Sequence, residues 1–189
     1  MMIGRNVSAK NIALRIREGS IGAELGVWKG DTSEIILPNC KKLHLVDSWS
    51  VVPYKKSPEL YFRLIDRYKN MIGSEDPADF QRYYDGIYEN VMKRFKKYDK
   101  RVIIHRMTTD QWFKTLNEKL DFIYVDASHD KEGCLKDLNN SLKSIKKGGK
   151  LLGDDYGTKD GVTDAVNEFV KSNNLKIYFY GHSQYEINV

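Results

Sequence analysis

Four short apolar runs, at residues 21–25, 43–46, 102–104 and 122–125, each break off in polar or glycine residues, and a fifth at 150–152 follows the pair Gly148-Gly149. Continuous apolar runs of this length are what strands buried on both faces of a parallel sheet require. Helical spacing fills the gaps: Leu135, Leu138, Leu142 and Ile145 precede the fifth run, and Val162, Ala165, Val166, Phe169 and Val170 follow it. Strand and helix therefore alternate, which predicts an α/β fold with a doubly wound, Rossmann-like sheet and helices on both faces. Gly148-Gly149 is expected to stop the preceding helix in a left-handed turn. Two last strand-like runs, 177–180 and 185–189, are separated only by Gly181-His182-Ser183-Gln184, so the parallel strands should be closed by a C-terminal antiparallel pair. Ser8 is expected to cap a first helix that reaches Gly19 and covers the sheet.

The chain of 189 residues suits one domain with a substantial core. Between the second and third strands it spends more than fifty residues, a helical insert at about 50–100 bracketed by Pro53, Pro58 and Pro77. Helices are expected at 60–71 and 80–98; Tyr84, Ile87, Tyr88, Val91 and Phe95 keep helical spacing and read as a core-facing stripe, with a lid over substrate as the second reading.

The first strand delivers Glu24-Leu25-Gly26-Val27-Trp28-Lys29-Gly30 and then Asp31-Thr32-Ser33-Glu34. Gly26 and Gly30 permit a tight bend that a ligand can approach closely, and Asp31 with Glu34 forms a capping box for the next helix. Glycine loops of this kind also serve dinucleotides, but a pyrophosphate would be opposed by the carboxylate of Glu24. A cationic nucleoside is welcomed instead. S-adenosylmethionine, with a sulfonium, an ammonium and no phosphate, fits the sign of that charge; an NAD-dependent oxidoreductase does not.

Several segments together resemble the class I S-adenosylmethionine-dependent methyltransferases, in particular the small branch called methyltransferase domain family 24, and are similar to macrocin-type O-methyltransferases. They are GAELGVWKGDTSEIIL at 22–37, LHLVDSW at 43–49, DFIYVDASHDKEGCLKDL at 121–138 and KKGGKLLGDDYG at 146–157. The resemblance implies that Glu24, Gly26 and Gly30 hold the methionyl part of the cofactor and that Asp47, with Ser48 beside it, grips the ribose hydroxyls. An ionised carboxylate about 20 residues beyond the loop agrees with that topology. Met107 and Thr108, after the third strand, are placed at the adenine, and Trp28 and Trp49 either flank the cofactor or pack in the core.

Asp126 ends the fourth strand, His129 follows three residues later, and Asp154 and Asp155 end the fifth, so adjacent strands should bring all four to one rim. Methyl transfer asks the protein to align the reactants and remove a proton from the acceptor. An imidazole suits the proton, which assigns His129 as base with Asp126 beside the transferred group and the cofactor. Asp126, Asp154 and Asp155 also offer hard oxygen ligands for Mg²⁺, while the bland reading has Asp154 and Asp155 capping a turn. His44, His105 and His182 have no such company and receive no role.

The net charge is +5, of which the segment 51–101 supplies four, with 12 Lys or Arg against 8 Asp or Glu. This basic segment is read as the solvated face of amphipathic helices rather than a nucleic-acid surface. With no apolar stretch near the roughly 20 residues that span a bilayer, no membrane partner is expected and the location is expected to be cytoplasmic. Cys40 and Cys134 lack the spacing of a disulfide framework or a zinc site. The expected function is O-methylation of a small-molecule hydroxyl on a sugar or secondary metabolite, by a chain that is open to homo-oligomerisation. A nucleic-acid-modifying methyltransferase and a non-catalytic cofactor-binding protein are the alternatives.

Overall fold

The computed structural model describes residues 2–181 and 183–189, with side chains outside 2–6, 56, 67 and 160. Seven strands form one sheet: β1 Ser20–Leu25, β2 Cys40–Asp47, β3 Val102–Arg106, β4 Leu120–Val125, β5 Ile145–Gly153, β6 Ile177–Tyr180 and β7 Gln184–Asn188. Their order is β3-β2-β1-β4-β5-β7-β6, with β7 antiparallel to both β5 and β6 and every other pairing parallel. The strand order reverses between β1 and β4, and a doubly wound sheet opens its ligand crevice at that switch point.

The helices are α1 Met2–Ala13, α2 Asp31–Ile36, α3 Pro58–Ile72, α4 Pro77–Phe95, α5 Thr109–Thr115, α6 Lys131–Ser144 and α7 Asp160–Asn173. One apolar layer joins α1, α3 and α4 to the sheet through Ile12, Leu64, Phe80, Val91, Phe122 and Leu152. The other, under α5, α6 and α7, contains Trp112, Leu138, Leu151, Val166 and Phe169. Neighbouring Leu151 and Leu152 serve opposite layers because successive strand residues point to opposite faces. Between β2 and β3, α4 buries Phe80, Tyr84, Ile87, Val91 and Phe95, with Tyr88 packed at the edge of the same layer. No helix among the described residues is long and apolar enough to cross a membrane.

Several local expectations need correction. Helix α1 ends at Ala13, so Ser8 lies inside it rather than at its start, and the chain reaches β1 through turns closed by Arg15 N–H to the Ile12 carbonyl and Ile16 N–H to that of Ala13. The Gly148-Gly149 pair does not end α6, which stops at Ser144; it lies within β5, where pairing jumps from Leu120 with Ile145 to Phe122 with Lys150. Gly148 there has φ 77°, the conformation a bulge demands and glycine supplies. Helix α5 is an element the spacing did not announce; it starts on a capping box in which Thr108 accepts from the Gln111 N–H and Gln111 accepts in return. The hairpin connection contains His182, which lies outside the described residues.

Candidate active site

The carboxyl ends of β1, β2, β4 and β5 meet at one edge. Past the strands the ladder continues: Gly26 N–H donates to the Val46 carbonyl and Asp126 N–H to that of Leu25, both at 2.9 Å, and Met107 N–H donates to that of Asp47 at 3.0 Å. Gly26 has φ 87°, and a Cβ there would run into the Asp126 carbonyl oxygen, so only glycine lets the first loop lie against the end of β4.

That loop is held from both sides. The Oδ2 of Asp47 accepts the N–H of Val27 at 3.1 Å and of Trp28 at 2.9 Å, while Oδ1 accepts the N–H of Trp49 at 2.8 Å. Trp49 is wholly buried and its indole N–H donates to the Trp28 carbonyl at 2.8 Å; Trp28 packs at the margin of the same layer. Asp47 is therefore the clasp of the glycine loop, a role its place at the end of a strand did not disclose. Ser48 stands half-buried beside it and adds a backbone N–H to its carboxylate. Gly30, at φ 76°, is the N-cap of α2 without a side-chain cap, so Asp31 and Glu34 form no capping box. Both carboxylates turn outward to the guanidinium of Arg94 on α4, at 2.6 and 2.5 Å, and Arg94 also donates to the Lys29 carbonyl at 2.9 Å. A full cation outcompetes backbone amides for these two acids. Met107 packs on the layer under α5, and Thr108 spends its hydroxyl on the capping box.

Glu24 is 1% exposed and Ser33 is fully buried, and the Ser33 hydroxyl donates to Glu24 Oε2 at 2.5 Å. Burial pushes Glu24 up to about 8 despite that hydrogen bond, with Asp126, Asp47 and Asp31 adding like-charge repulsion. Asp126 is pushed up to about 7, by burial first and then by Asp154, against the pull of His129. Asp47 and Asp154 are also raised, burial again being the main cause. Acids crowded at one edge, each resisting ionisation, are an arrangement that a cation relieves.

On the rim, His129 Nε2 lies 2.9 Å from Asp155 Oδ2 and 3.8 Å from Asp126 Oδ1. The hydrogen bond from His129 holds Asp155 below the usual carboxylate range. Asp155 is fixed by its own backbone at φ 63°, and Thr158 donates to it at 3.2 Å. Asp154 is placed differently: its Oδ1 accepts the Asp155 N–H at 2.8 Å, and its Oδ2 shares the Tyr124 hydroxyl with Asp126, at 3.4 and 3.5 Å. Among the described residues, the metal-capable group whose ligand atoms fall within 4.8 Å of one another is Asp126, His129 and Asp155. The imidazole thus stands where the sequence placed Asp154.

His44 and His105 do have company. Their Nδ1 and Nε2 are 2.9 Å apart across β2 and β3, His44 Nε2 lies 3.2 Å from Glu118, and Lys42 pairs with Glu118 at 2.8 Å. No spacing in the sequence couples residues on strands separated by the insert. Cys40 and Cys134 are buried, and burial pushes both thiols up to about 12. A cavity of about 360 Å³, lined by Arg15, Arg17, Ser20, Asp121 and Lys150 among others, opens at the opposite end of β1 and β4 and holds none of the rim acids.

The family described as "Methyltransferase domain" matches residues 23–156, the stretch that runs from β1 through the rim acids. Solved structures share the whole fold. The O-methyltransferase NovP is 16% identical, with 98% of this chain and 79% of that one covered at a TM-score of 0.63. The N-methyltransferase NodS from Bradyrhizobium japonicum WM9 is 14% identical over 97% and 93%, at 0.60. An rRNA methylase from Streptococcus thermophilus is 12% identical over 96% and 92%, at 0.59. At such identities the likeness is one of fold. No curated protein matches the chain.

Proposed function

Since the chain belongs to the methyltransferase-domain family of class I S-adenosylmethionine-dependent enzymes, we propose that it transfers the methyl group to a hydroxyl oxygen of a small molecule, a sugar or secondary metabolite. The observation that carries this reading is His129 held by Asp155 at 2.9 Å beside Asp126. A hydroxyl is a poor nucleophile until its proton is taken, so an oriented imidazole at the rim has work to do with such an acceptor.

The donor, when bound, supplies a methyl group activated by positive sulfur. Glu24 and the loop from Gly26 to Gly30, with Trp28, are proposed to hold its methionyl portion; Asp47 and Ser48 meet the ribose, and Met107 and Thr108 border the base. Asp47 accepts backbone N–H groups from Val27, Trp28, Trp49 and Ser48, so it orders the loop as well as facing the proposed ribose position. Asp126, its side chain one third exposed at the rim, is proposed to lie beside the transferred group and the acceptor. Asp155, ionised, can only accept, which places the His129 proton on Nε2 and fixes the orientation of the ring.

A divalent cation, Mg²⁺ in the first instance, is a second reading, favoured by the convergence of Asp126, His129 and Asp155. The carboxylates, with Asp154 adjoining, suit Mg²⁺, whereas the imidazole suits a transition-metal ion such as Zn²⁺ better; either ion would lower the pKa of an acceptor oxygen. The two readings differ in tautomer: ligation through Nε2 would require the proton on Nδ1. A screen of hydroxyl acceptors with radiolabelled S-adenosylmethionine, with and without EDTA, tests both. Transfer to a sugar or phenol supports the proposal; transfer only to amines, or to RNA with a steep salt dependence, rejects it. No transfer to any acceptor would leave the non-catalytic alternative.

A further inference from the structure

Among the described residues, Ser33 is the one that donates a hydrogen bond to the Glu24 carboxylate. The register puts Glu24 between Leu45 on β2 and Tyr124 on β4, both buried. The titratable groups that face it are Asp126 beyond β4, Asp47 at the end of β2, Asp31 at the start of α2, the phenol of Tyr124 and the thiol of Cys40. All of them are acids. Against them stands the Ser33 hydroxyl, 2.5 Å from Oε2. A carboxylate buried without a partner costs far more than one with a donor, and the donor also decides which oxygen faces the crevice.

The position of Ser33 is fixed from the other side of its helix. Asp31 and Glu34, its neighbours in the first turn of α2, are pinned outward by Arg94, and a Cβ at Gly30 would press on the Phe95 ring that follows Arg94. With the turn locked in this rotation, Ser33 points inward onto Glu24.

Resting on the donor-site reading above, we propose that Ser33 is a positioning residue for the methyl donor: its hydroxyl orients Glu24 and eases ionisation of the carboxyl as it receives a cationic group of S-adenosylmethionine. The alternative is that Ser33 merely fills a buried polar position.

The test compares wild type, Ser33→Ala, Ser33→Thr, Glu24→Gln and the double variant Glu24→Gln with Ser33→Ala. Calorimetric affinity for S-adenosylmethionine at neutral pH is expected to fall about tenfold or more in Ser33→Ala, to survive in Ser33→Thr, and to be no lower in the double variant than in Glu24→Gln alone. The ¹³Cδ titration midpoint of Glu24 is expected to rise in Ser33→Ala. Unchanged affinity and an unmoved midpoint in Ser33→Ala, or an equal further loss in the Glu24→Gln background, would overturn the proposal. If wild type binds no donor, the donor-site reading fails, while the Glu24 midpoint still decides whether Ser33 governs that carboxyl. Should Ser33→Ala not fold, Ser33→Cys, with a weaker donor of similar shape, takes its place in each comparison.

Discussion

The carboxylate of Asp47 accepts the backbone N–H of Trp28 at 2.9 Å, which ties the end of β2 to a loop 19 residues earlier in the chain. With the Val27 and Trp49 N–H groups on the same carboxylate, Asp47 is a fastening before it is a ligand contact. Asp47→Ala should therefore do two things at once: abolish S-adenosylhomocysteine binding and lower stability by about 1–3 kcal/mol, the usual cost of orphaned backbone donors. Titration calorimetry and urea unfolding read the two effects. Undiminished binding would reject the ribose assignment, and unchanged stability would reject the clasp.

Gly26 has no room for a side chain. Its φ of 87° and the Asp126 carbonyl beyond it mean that Gly26→Ala should cost about 2 kcal/mol or more, from left-handed backbone and overlap together. Urea unfolding midpoints measure this, and Gly73→Ala, also at positive φ but with open space around the position, isolates the backbone share.

Binding of the donor should release protons. At neutral pH Glu24, at about 8, mostly keeps its proton and Asp126, at about 7, keeps it in about half of the molecules, and a cation beside them favours their ionised forms. Affinity should rise with pH between about 6 and 9, and the binding enthalpy at pH 7 should vary with the ionisation enthalpy of the buffer. Equal enthalpies in phosphate and Tris would contradict this.

The alternation of strand and helix, the closing antiparallel pair and the meeting of the rim acids were legible because each rests on a local pattern: apolar runs, helical spacing, a short connection, or an acid directly after a strand. What escaped depended on partners brought together by the fold. Asp31 and Glu34 read as a capping box until α4 delivered Arg94; Gly148-Gly149 read as a helix stop although the chain was already paired with β4. Ser33 and the bond between His44 and His105 follow from registers that no short window of sequence contains.

Acid should weaken the fold through that histidine pair. Burial lowers His44, and lowers His105 to about 4, so between that value and the ordinary 6.5 the unfolded chain binds more protons than the folded one. The stability gained from the neutral pair is complete above 6.5 and is lost as pH falls toward 4. The raised rim acids act in the opposite sense, so the comparison is with His44→Asn and His105→Asn, whose unfolding free energies should fall less steeply over that window than wild type. Parallel slopes would remove the pair as a source of acid sensitivity.

His129→Asn should keep donor affinity and lose transfer by about 10²- to 10⁴-fold, the range for a general base. A variant that transfers at the wild-type rate would exclude His129 from the chemistry, and one rescued by added Mg²⁺ would favour the metal reading.

The acid-lined edge of β1, β2 and β4 is held to be a receptor for a positively charged methyl donor, and calorimetric titration of S-adenosylmethionine into wild type and Glu24→Gln addresses it directly. Saturable one-to-one binding to wild type that is severely weakened in a folded Glu24→Gln protein is the expected result. Equal affinity in the two proteins, or no binding to wild type, would contradict it.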